Sequence, residues 1–62
     1  MTEHMQIMLG RLQIELESEL TTERTRKEWY SECLRVCARE RMSLDCADYL
    51  ADYLSQKHGA IV

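Results

Sequence analysis

The sequence predicts an all-α protein, a helical hairpin with a long or bent N-terminal helix, assembled as a homodimeric helical bundle. Three observations predict it. Proline is absent and glycine occurs only at Gly10 and Gly59, so the chain lacks the turn residues that sheets require. Leu, Glu, Arg, Met, Ala and Gln dominate, all of them good helix formers, while phenylalanine is missing. Apolar residues also recur at helical spacing in three separate segments.

With 62 residues the chain makes one domain, and a domain of this size buries only about 60% of the surface its unfolded form exposes. Folds this small gain the missing stability from disulfides, a metal or oligomerisation. Disorder is excluded, because 45% of residues are apolar and 31% charged with a net charge of only -3.

In the first segment Met5, Leu9, Leu12 and Leu16 alternate at spacings of four and three, the seam of a packed helix over about residues 3–20. Ile7, Met8, Ile14 and Leu20 fall outside that seam. Ile7 and Ile14 stand two turns apart on nearly the opposite face. One neighbouring helix cannot cover both stripes, and so short a chain offers little else. Met5, Ile7, Leu9, Leu12, Ile14 and Leu16 are therefore the candidate dimer interface.

Residues 21–28 contain no apolar side chain, and two readings stay open there. Thr25 and Glu28 have the spacing of a capping box, which favours a break. The seam extended through positions 19, 23 and 26 lands in phase on Tyr30, Cys33 and Cys37, which favours one continuous helix. A second helix over about residues 23–41 carries Trp29, Tyr30, Cys33, Leu34, Val36, Cys37 and Ala38.

Ser43 then makes a good N-cap, with Asp45 in the first turn where the helix dipole favours negative charge. The last helix runs over about residues 44–58, with Leu44, Ala47, Leu50, Ala51 and Leu54 on one face and Gly59 as its stop. Its two-residue joint at Met42-Ser43 folds it back on the second helix as a hairpin.

Catalytic and metal chemistry find little support. Cys33, Cys37 and Cys46 are odd in number and irregular in spacing, which suits a reducing cytosol and packed thiols better than a disulfide scaffold or a zinc site with His58. Cys46 opens a helix, where the dipole favours a thiolate, so a redox or zinc protein is one alternative. No base or oxyanion loop accompanies it. His4 and His58 read as solvated end residues, and Glu15, Glu17 and Glu19 as a wet face. No glycine-rich phosphate loop exists, and no cofactor or metal is assigned.

A small nucleic-acid-binding regulator using segment 24–41 is the stronger rival, since six of the eight basic residues fall there around Trp29 and Tyr30. Glu23, Glu28, Glu32 and Glu40 are interleaved with those bases as for intrahelical ion pairs. Asp45, Asp48 and Asp52 would meet phosphates if the last helix entered a groove, so nucleic acid is disfavoured as a partner. Trp29, Tyr49 and Tyr53 suit the edge of a core; exposed, and with Arg35 and Arg39, they would make a surface for a protein partner. No apolar run approaches the length of a membrane span and no signal peptide is evident, so the expected setting is cytoplasmic.

The short Met-rich start, the charged middle helix and the closing helix from Asp48 to Gly59 resemble the small helical accessory proteins of lambdoid phage early regions. The resemblance covers most of the chain without a diagnostic motif, so it transfers no functional residue. It implies a non-enzymatic phage or prophage protein of the host cytoplasm, modulating host physiology or the lysis-lysogeny decision by binding a host or regulatory protein.

Overall fold

A computed structural model describes residues 2–20 and 22–61. Three helices, α1 (Glu3–Glu19), α2 (Arg26–Arg39) and α3 (Leu44–His58), pack around one core, so the all-α expectation holds. Thr2 caps α1, its hydroxyl accepting from the Met5 amide at 3.1 Å. The helix ends at Leu20, whose backbone turns extended.

The first two helices are separate. Thr25 and Glu28 form the capping box reciprocally: the Thr25 hydroxyl accepts from the Glu28 amide at 3.1 Å and the Glu28 carboxylate accepts from the Thr25 amide at 2.9 Å. A continuous helix over residues 3–41 would run roughly 57 Å. The longest dimension of the fold is 32 Å. Thr21, the first residue of the expected break, lies outside the described residues.

Between helices, Arg24–Thr25 (β1) pairs in parallel with Ala60–Ile61 (β2), in the register Arg24↔Ala60 and Thr25↔Ile61. Composition gave no hint of this two-residue bridge. It ties the segment after α3 to the start of α2. Gly59 permits it by leaving α3 at φ 78°, a left-handed value that side chains disfavour.

The second and third helices share the largest interface in the fold. Cys33, Cys37, Ala47 and Ala51 are all buried within it, and such small side chains allow close helix approach. The joint spans residues 40–43 rather than two residues, because Arg41 takes φ 59° and the Met42 amide reaches back to the Cys37 carbonyl at 2.8 Å. This is a helix stop that usually carries glycine. Ser43 caps α3, accepting from the Cys46 amide.

Against this hairpin α1 lays Leu9, Leu12 and Leu16, all buried, with Met5 packed at the edge. The stripe expected to meet a second copy is thus covered by α2 and α3 of the same chain. Two other placements differ from expectation: Leu44 is 64% exposed at the start of α3, and Ser55 is buried on it, while Cys46 is packed as expected. Trp29 Nε1 is buried without an acceptor among the described residues, a lapse that costs on the order of 1–3 kcal/mol.

Replacing Arg41 with glycine removes the left-handed strain of a residue bearing Cβ and should raise unfolding free energy by about 1 kcal/mol. A urea titration that shows no gain, or a loss, would contradict the helix stop described here.

Candidate functional site

The direction of the helices follows from their contacts. Cys46 Sγ lies 3.7 Å from Met5 Sδ near one end, and Glu17 meets Lys57 and His58 near the other, so α1 and α3 run the same way. The second helix runs against both, with Arg39 on Glu15 and Arg35 on Glu19.

Glu15, Glu17 and Glu19, expected as a wet face, therefore bridge all three helices. Arg39 grips Glu15 with two parallel bonds of 2.8 Å, and Arg35 reaches Glu19 at 3.1 Å while also holding Glu32. On the other side Glu17 accepts from Lys57 at 2.8 Å and from His58 Nε2 at 2.7 Å. His58 is also no free end residue, since its ring stacks on Trp29 with centroids 5.5 Å apart. The hydrogen bond from Lys57 does most to hold the Glu17 carboxyl down to about 2 from its ordinary 4.5, with His58 and Gln13 adding to it against partial desolvation. Hydrogen bonds from Arg39 lower Glu15 in the same direction.

These pairings change the standing of the candidate partner surface. Trp29 is 2% exposed and belongs to the core, so it offers no surface to a partner. Arg35 and Arg39 are half exposed but already neutralised, and Arg26 is held by Asp48 at 3.0 Å. Three of the six bases of the segment that suggested nucleic acid, Arg26, Arg35 and Arg39, are thus paired with carboxylates, mostly between helices rather than along one.

Tyr49 and Tyr53 do stand outside, at 55% and 43% exposure. They form one wall of a groove of about 430 Å³ between α3 and α1. Gln6, Gly10 and Gln13 form the other wall, and Leu9 and Leu50 the floor. Gln13 Nε2 bonds Glu17 at 3.2 Å and lies 3.5 Å from the Tyr53 hydroxyl. Amide and phenol groups around an apolar floor can hold a peptide surface by hydrogen bonds and buried aromatic area.

Beyond the α1 wall lie Ile7 and Ile14, 54% and 68% exposed. Of the six residues named for an interface, these two remain uncovered by their own chain, while Leu9, Leu12 and Leu16 are buried and Met5 is partly so. Gly10 sits between them in mid-helix, where glycine costs roughly 1 kcal/mol relative to alanine. Among the described residues a Cβ there would meet nothing within 4 Å and the backbone is not left-handed, so none of them requires a glycine. The groove escaped sequence reasoning because it depends on the parallel course of α1 and α3. The only signal for it was a glycine inside a strong helical pattern.

Cys33, Cys37 and Cys46 are free and buried. Burial pushes the Cys33 thiol up to about 12 and raises Cys37 in the same way. Among the described residues no group of three His, Cys, Asp or Glu is placed to hold a metal ion, and no helix is long and apolar enough to cross a membrane. Comparison with protein-family models, curated proteins and solved structures finds no match, so the reading of the groove rests on its own residues.

Two outcomes follow from these environments. A carboxyl depressed in the folded state contributes stability in full above its unfolded value, and that contribution is lost as pH falls through the folded one. Stability should therefore decline as pH falls from about 4.5 towards about 2. In urea titrations across that window Glu17→Gln should show a shallower decline than the wild type, and an unchanged slope would contradict the Lys57 pairing. Cys33 and Cys37 should resist a thiol reagent at mildly alkaline pH until the protein is unfolded, since the thiolate is the reactive form. Rapid labelling of the native protein at either position would contradict their burial.

Proposed function

We propose that this chain is a non-enzymatic accessory protein that acts by association, with a second copy of itself and with a host or regulatory protein. One observation carries the reading: a contiguous uncovered surface in which Ile7, Gly10 and Ile14 of α1 border the groove walled by Tyr49 and Tyr53. Apolar side chains left in water beside an open groove are the usual mark of an interaction site, and tyrosines supply contact area at low entropic cost. A domain this small also gains stability from any partner that binds only its folded form.

The resemblance to lambdoid phage accessory proteins suggests the kind of external partner, a host factor met in the host cytoplasm, through which host physiology or the lysis-lysogeny decision is modulated. Of the residues expected to meet that partner, Tyr49 and Tyr53 stand exposed in the single chain. Arg35 and Arg39 pair α2 with α1, so their loss should lower stability rather than disconnect a partner.

Sedimentation equilibrium should show the wild type above monomer mass at micromolar concentrations and above. Ile14 is exposed within its own chain, so Ile14→Glu should return the protein to a monomer with its helical circular dichroism intact. A wild type that stays monomeric throughout would remove the self-association half of the reading.

A further inference from the structure

The two exposed isoleucines and the glycine between them specify more than a sticky patch. Gly10 is three residues from Ile7 and four from Ile14, so the patch has the same apolar residue at each end and a gap at its middle. We infer that two copies pair through α1, antiparallel about a two-fold axis beside Gly10, each α1 seated against the groove of the other. The inference rests on the self-association proposed above and gives it a geometry.

Three features select this occupant. Helices approach closely only where contacting side chains are small, and Gly10 offers open space, since beyond its own turn of helix no described residue comes within 4 Å of a Cβ placed there. A two-fold interface must be self-complementary, with residue i meeting j and j meeting i. Antiparallel pairing about Gly10 meets that condition twice over, setting Ile7 of each copy against Ile14 of the other while Tyr49 and Tyr53 close over the incoming helix.

Charge sets the direction. A parallel pair would place Glu3 on Glu3, an uncompensated like charge at one end of the seam. Antiparallel pairing instead sets Glu3 of each copy opposite Glu17 of the other, a carboxylate already compensated by Lys57 and His58. Glu3 makes no ion pair among the described residues.

Two experiments on the full chain test this. Gly10→Leu projects into open space, so the variant should keep its helical circular dichroism while associating at least about tenfold more weakly, because the added side chain overpacks the contact. Gly10→Ala should fold at least as well as the wild type and associate at an intermediate strength. In the second experiment chains carrying Ile7→Cys and Ile14→Cys are mixed and oxidised mildly. The native cysteines are buried, so the introduced thiols report the contact. Mixed Ile7→Cys with Ile14→Cys disulfides should form in preference to either like pair.

A wild-type dimer whose affinity is unchanged by Gly10→Leu overturns the inference while leaving self-association standing. So does a predominance of like-with-like disulfides, which would mean a parallel pair. A wild type that is monomeric up to submillimolar concentration overturns both. A monomer whose groove takes only a foreign helix, displaced by Gly10→Leu, likewise overturns the pairing of copies.

Discussion

The rest of this structure depends on the seam of Leu9, Leu12 and Leu16 finding its cover within one chain. A helix with an apolar stripe is marginal in water until the stripe is packed, whatever its intrinsic propensity. The stripe reaches its cover because the chain reverses between Leu20 and Arg26, and it reverses there because Thr25 and Glu28 satisfy the first amides of α2. Without that stop α1 would continue in line with α2 and present its leucines to water or to another molecule. A capping box of four residues thus decides whether the core is built from one chain.

Electrostatics then locks what burial has brought together. Leu16 is flanked on one side by Glu15 and Glu19 facing Arg39 and Arg35, and on the other by Glu17 facing Lys57 and His58. Isolated surface pairs contribute little, but the bidentate Glu15–Arg39 contact and the shared Glu17 cluster have the geometry in which such pairs count. They also fix the sequence position at which each helix meets its neighbour. Half of a basic run that suggests a nucleic-acid surface, Arg26, Arg35 and Arg39, serves instead to join helices.

Covering one stripe leaves the other. A three-helix arrangement with α1 and α3 parallel and α2 antiparallel to them encloses one face of α1, and Ile7 and Ile14 stay exposed on the other. Gly10 between them weakens the helix with no return inside the monomer, which is why the groove beside it and the tyrosines across it carry the functional argument.

Much of this was legible along the chain, for one physical reason: caps and seams are local. Thr25 with Glu28, Ser43, Gly59 and the leucine spacing all act within a turn or two of helix, so helix ends and the inward face of α1 could be read from neighbouring residues. The uncovered stripe of Ile7 and Ile14 was legible too. What only the tertiary structure decided is which surface meets which. Trp29, open between core edge and partner surface, went to the core, Glu15, Glu17 and Glu19 from a wet face to clamps, and His58 from a free end to a stack on Trp29. The leucine seam passed from a link between copies to a link within one. Each change depends on contacts between residues 16 to 41 positions apart along the chain, whose formation is set by the direction and offset of packed helices, and no local pattern encodes those.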